Sequence, residues 1–151
     1  AADVRKYESG ESEIPVSYIP DADLRLTLYR RISSLRSEED ILRTEIEFED
    51  RFGKLPQSVS DLLFQMRVKL LGEAIGLESI GLTSNQLVLS YPPLPKGVSD
   101  RHLPELGPLA RAGKNAYWVK VDPDSAEWKS VLLKVLRILR QTPENRAIIP
   151  T

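Results

Sequence analysis

The chain has 151 residues, 41% apolar and 28% charged, with no cysteine and a formal net charge of −1. That length suits one domain with its own core. The missing cysteines exclude disulfides and thiolate metal sites, and fit a reducing, cytoplasmic setting. No apolar run approaches the ~18 residues of a membrane span, no signal peptide is expected from the short first apolar cluster, and a near-neutral charge gives no broad electrostatic hold on nucleic acid.

Residues 1–13 open at Ala1 with mixed charge and read as a linker from an upstream region. Glu13 to Ile19 (EIPVSYI) suggests an edge strand, because Pro15 cannot donate within a central ladder. Pro20-Asp21 opens a first helix whose Leu24, Leu28, Ile32 and Leu35 recur at helical spacing. Ser37-x-x-Asp40 is a variant capping box that starts a second helix, which runs to Phe52 and stops at Gly53. Pro56 blocks any continuation.

A third helix is expected from Gln57 to Ile75, ending at Gly76. Val59, Leu62, Leu63, Met66, Leu70 and Ala74 fall on one arc. Phe64, Val68, Leu71 and Ile75 fall on a second, roughly 150° away. Two apolar arcs mark a central helix buried on two sides. Ile80–Leu82 and Gln86–Tyr91 read as a β-hairpin across Ser84-Asn85. Five prolines break residues 92–115 into loop, with room for a short helix. Ala116–Val121 alternates as a half-buried strand. Asp122-Pro123 is expected to start the last helix with Pro at N1, its stripe being Trp128, Val131, Leu132, Val135, Leu136 and Leu139. Residues 141–151 read as a tail. Helices first, then strands, then a helix make an α+β domain over residues 14–140: a helical layer, with its two-sided helix, on a small antiparallel sheet.

Charge is uneven along the chain. Between Glu38 and Asp50, Glu38, Glu39, Asp40, Glu45, Glu47, Glu49 and Asp50 stand against Arg43 alone. The last helix is basic, with Lys129, Lys134, Arg137 and Arg140. Enzyme motifs are missing. Phe52-Gly53-Lys54-Leu55 and Ala112-Gly113-Lys114-Asn115 lack the leading glycine and the Ser or Thr of a phosphate loop, and no G-x-G-x-x-G follows a strand. No G-x-S-x-G elbow occurs. His102, the single histidine, has no second histidine or cysteine with which to share a metal. The reading is therefore non-catalytic, with no metal and no cofactor.

The segment EFEDRFGKLP, Glu47 to Pro56, carries the sharpest local signal. On the second helix Ile41, Leu42, Ile46, Phe48 and Phe52 cover an apolar arc of roughly 160°. Glu47, Asp50 and Arg51 point away from it at i, i+3 and i+4, so they are neighbours. The Glu47–Arg51 order is favourable, but Asp50 in the last turn opposes the helix dipole, so something other than helix stability retains it. Glu45 and Glu49 fall inside the apolar arc, with Arg25 or Arg31 of the first helix as candidate partners.

YIPDADLRLTLYRRISS followed by EFEDRFGKLPQSVSDLL resembles the C-terminal domain of the bacterial transcription-repair coupling factors (Mfd). Tyr18 to Asp21, Tyr29 to Ile32, Glu47, Asp50 to Gly53, Leu55, Pro56, Leu62, Leu63, Arg67 and Lys69 carry the resemblance, which holds from about Ile14 to Ile80 and softens afterwards. Glu49 departs from it, standing where an apolar residue is expected. The family protein is an ATP-dependent DNA translocase that displaces stalled RNA polymerase and recruits the repair protein UvrA. Its motor, polymerase-binding domain and UvrB-like module lie upstream of the domain resembled here. The resemblance implies an autoinhibitory domain that docks on the UvrB-like module, masks UvrA binding and restrains the motor, with Glu47, Asp50 and Arg51 on the docking face. RNA polymerase and UvrA would be met indirectly, DNA only through the motor, and no membrane is involved. A second reading is a nucleic-acid accessory domain using Arg25, Arg30, Arg31, Arg36 and the basic last helix, with Trp118 for stacking. A third is a structural module in which the charged triad is a surface ion pair.

Overall fold

A computed structural model describes residues 13–142, so most of the expected linker and tail lies outside the described residues. The order is α1 (Ala22–Ser33), α2 (Glu38–Phe52), α3 (Gln57–Ala74), β1 (Ser79–Leu82), β2 (Gln86–Ser90), a 3-10 turn (Gly107–Leu109), β3 (Arg111–Ala112), β4 (Ala116–Lys120) and α4 (Glu127–Gln141). These four α-helices and one four-stranded antiparallel sheet make an α+β fold, as expected. The chain divides into two compact units, with the boundary between Leu70 and Leu71 inside α3.

The first unit is helical. The Asp21 side chain accepts from the Asp23 and Leu24 amides and so caps α1. Ser37 caps α2 by accepting from the Asp40 amide. The return bond of the expected capping box goes one residue further out, from the Arg36 amide to Asp40 at 3.3 Å. Leu28 and Ile32 of α1, Ile41 and Phe48 of α2, and Val59, Leu63 and Met66 of α3 form one core with Ile14 and Ile19. Residues of both arcs of α3 are buried, Val59 and Leu63 on one, Val68 and Leu71 on the other.

The expected edge strand at residues 13–19 is instead a turn. The Tyr18 and Ile19 amides both donate to the Pro15 carbonyl at 3.0 Å, and the Ile14 amide donates to the Tyr29 hydroxyl at 2.6 Å. Once local acceptors satisfy these amides, no ladder is needed to bury Ile14 and Ile19.

The second unit holds the sheet, in the order β1-β2-β4-β3. The β1–β2 hairpin turns across Ser84-Asn85 as expected, closed by the Thr83 amide on the Gln86 carbonyl at 2.8 Å. Leu87 and Leu89 pair with Val119 and Tyr117, and these buried side chains line one face. β3 was not expected. It forms because the Gly113 amide closes a tight turn on the Ala116 carbonyl at 2.8 Å, which brings Arg111 opposite Trp118. Glycine leaves room for the neighbouring ring at that turn: a Cβ on Gly113 would lie 2.2 Å from Trp118 and would force it to shift.

α4 begins at Glu127, later than the Asp122-Pro123 start expected from sequence. The Asp122 side chain accepts from the Asp124 amide and its carbonyl from the Ser125 amide, making a turn that delays the helix. The expected stripe is otherwise in place, with Trp128, Leu132, Val135, Leu136 and Leu139 buried.

Candidate docking site

The geometry of α2 is set at its end. Gly53 stops the helix at φ 94°, a left-handed region open to glycine. The Tyr18 hydroxyl donates to the Gly53 carbonyl at 2.8 Å, with the Phe48 carbonyl 3.2 Å away. Its ring meets Phe52 edge-on at 5.9 Å. Arg25 donates to the Ile19 and Pro20 carbonyls at 2.8 and 2.9 Å, tying the Tyr-Ile-Pro-Asp turn to α1. Tyr18 thus braces the Phe52-Gly53 end of α2, beside Asp50 and Arg51, while Ile19, Pro20 and Asp21 engage α1.

Glu47 and Arg51 pair at 3.1 Å, as the i, i+4 spacing predicts. The structure adds a third member. Arg31 of α1 grips both Glu47 oxygens in a bidentate pair, each bond 2.6 Å. Glu47 therefore bridges two helices and sits at the edge of the α1–α2 seam. The hydrogen bonds from Arg31, then Arg51, draw its carboxyl down from 4.5 to about 2. The same pair raises the Arg31 guanidinium. Arg51 also lies over the Phe52 ring, 4.8 Å from its centroid. Asp50 is exposed and, among the described residues, has no side-chain partner. Of the predicted triad, then, Glu47 and Arg51 are joined while Asp50 stands in solvent beside them.

The acids that fitted the wheel poorly have separate answers. Glu45 pairs with Arg67 of α3 through bonds of 2.5 and 3.0 Å, and not with either arginine of α1 that the sequence suggested. Glu38 approaches Arg67 at 3.9 Å. Glu49, expected inside the apolar arc, is exposed, so no charge enters the core there. The buried face of α2 is Ile41, Thr44 and Phe48. Leu42 and Ile46, expected in the apolar arc, are 53% and 60% exposed. A single-helix wheel cannot see which flank of a wide apolar arc meets a neighbour, and Thr44 gave no apolar signal. Its hydroxyl donates to the Asp40 carbonyl at 2.8 Å, which lets it be buried.

Among the described residues no group of His, Asp and Glu has the arrangement of a metal site, and no helix is long and apolar enough to cross a membrane. His102 lines an open, polar cavity of about 410 Å³ with Asp100, Glu105 and Lys114. Its ring is almost fully exposed and 3.9 Å from Asp100.

This is an α+β domain in which Tyr18 and Gly53 fix the end of one charged helix. Comparison with known proteins identifies it. The family model of the TRCF domain matches residues 10–99, so the chain belongs to the TRCF domain family. It is the domain found at the C-terminus of transcription-repair coupling factors. The factor of Rickettsia conorii is 37% identical over 78 residues, 52% of this chain and 7% of that protein. The factor of Escherichia coli K12 is 33% identical over 69 residues, 46% of this chain and 6% of that protein. The chain thus spans under a tenth of the length of these relatives. A crystal structure of the C-terminal domain of a transcription-repair coupling factor aligns with a TM-score of 0.68 over 94% of this chain and 95% of that one. At 17% identity this likeness shows the fold alone.

Proposed function

We propose that this domain is a non-catalytic autoinhibitory module of a transcription-repair coupling factor. It docks on the UvrB-like module of its parent, masks the UvrA-binding surface and restrains the motor. RNA polymerase, UvrA and DNA are then met through the parent, in the cytoplasm. The observation that carries the reading is the ordered charge cluster at the end of α2. Arg31 and Arg51 hold Glu47 in one geometry, beside an exposed Asp50. A preorganised charge pattern gives specificity and salt-sensitive release more readily than it gives tight binding, which suits a clamp that must open. The nucleic-acid reading loses support, because Arg25 is spent on backbone carbonyls and Arg31 on Glu47.

The test is calorimetric titration of the domain into the isolated UvrB-like module at low and moderate salt. Binding should weaken with salt and compete with UvrA. Glu47→Ala with Asp50→Ala should weaken it by about tenfold, or ~1.4 kcal/mol, without unfolding the domain. A double variant that docks like the wild type removes the triad from the interface.

A further inference from the structure

Four large apolar side chains are exposed among the described residues, and two of them, Leu42 and Ile46, lie one turn apart on α2. Isolated exposed apolar residues are ordinary, but a pair at i, i+4 makes a continuous ridge. The same ridge continues to Glu39 at one end and to Glu49 and Asp50 at the other, all exposed.

These acids differ from the rest of the helix. Asp40 is held by Arg43 at 2.8 Å, Glu45 by Arg67 and Glu47 by two arginines. Among the described residues Glu39, Glu49 and Asp50 make no side-chain hydrogen bond or ion pair. α2 therefore spends its inward acids on its own fold and leaves the outward ones beside two bare apolar side chains.

We infer that the Leu42–Ile46 ridge, rimmed by Glu39, Glu49 and Asp50, is the contact surface of the domain and takes a partner surface with apolar side chains flanked by lysines or arginines. Charge complementarity selects that chemistry: an acidic partner would be repelled by the rim, and a purely apolar one would strand its carboxylates. The inference rests on the docking proposed above and adds the character of the face that is met.

Leu42→Ser with Ile46→Ser is the deciding variant. Both side chains are more than half exposed, so its melting temperature should fall by no more than a few degrees and the domain should stay folded. Its affinity for the UvrB-like module should fall by roughly tenfold or more. Glu49→Gln with Asp50→Asn should flatten the salt dependence of binding. If the wild type binds and L42S/I46S binds equally well, the ridge is overturned while the docking stands. If the wild type does not bind the module, a synthetic amphipathic helix with paired leucines flanked by lysines is titrated instead. Binding of that probe that L42S/I46S abolishes keeps the ridge and removes the module as its partner; no binding to either overturns both. Methyl signals of Leu42 and Ile46 that shift on dilution, or on removing residues 143–151, would assign the ridge to a second copy or to the chain's own end and overturn the proposal.

Discussion

Arg67 offers a direct test of how the helical unit is held together. Its side chain is 17% exposed and meets Glu45, 20% exposed, in a two-bond pair, with Glu38 nearby. Arg67→Met keeps the apolar stem but strands the Glu45 carboxylate, four-fifths buried, next to a second acid. An exposed ion pair is worth under about 1 kcal/mol, while breaking a buried one costs about 3–5 kcal/mol. Intermediate burial places R67M between these, at about 2–3 kcal/mol of lost stability. For a chain of this size that is a fall of about 4–12 °C in Tm. Glu45→Met combined with R67M removes the stranded charge as well, and should recover stability to within ~1 kcal/mol of wild type. Urea unfolding of the wild type, both single variants and the double variant closes the cycle. The reasoning is refuted if R67M unfolds with the wild type, or if the double variant is no more stable than R67M.

Two further outcomes follow from other sites. Gly113→Ala should force the Trp118 ring off its turn, since the new Cβ would sit 2.2 Å from it. We expect a loss of about 1–3 kcal/mol and a red-shifted tryptophan emission, and an unchanged spectrum would show that the turn yields instead. Glu47 makes stability depend on acid. Its folded pKa, about 2, lies below the ordinary 4.5, so its pairing stabilises the fold above about 4.5 and that contribution fades as pH falls towards about 2. The difference in Tm between wild type and Glu47→Gln should therefore shrink across that window. A difference independent of pH would mean that the arginines do not distinguish the charged carboxyl in solution.

Much of the helical unit was legible because its signals are local. Asp21, Ser37 and Gly53 mark helix ends by chemistry that acts within three residues, and the spacing of Leu28 with Ile32 or Val59 with Leu63 fixes a face. What escaped depends on partners distant in sequence. Nothing in the sequence near Glu45 points to Arg67, and nothing near Glu47 distinguishes Arg31 from Arg25. The width of the α2 arc misled for the same reason: Leu42 and Ile46 are as apolar as Ile41, and only the neighbouring helices decide which flank is buried. Residues 13–19 had the composition of a strand, but a carbonyl at Pro15 and a hydroxyl at Tyr29 took the bonds a strand would have offered. The Glu47–Arg51 pair was legible in its i, i+4 spacing and in the family resemblance. Its third dimension, the grip of α1, was not in either.

The strand order has a consequence for how the chain reaches this state. β1 and β2 meet across a two-residue turn, and β3 and β4 across another, so both hairpins can close within microseconds. The central pairing of β2 with β4 joins Ser90 to Ala116 and Gln86 to Lys120, with a proline-broken loop between them. That join must wait for the loop to close, an entropic cost that no local contact repays in advance. The sheet should therefore assemble as two hairpins that zip together late, with the buried Leu87–Val119 and Leu89–Tyr117 pairs as the final seam. A nascent chain would not hold its sheet until β4 has emerged in full.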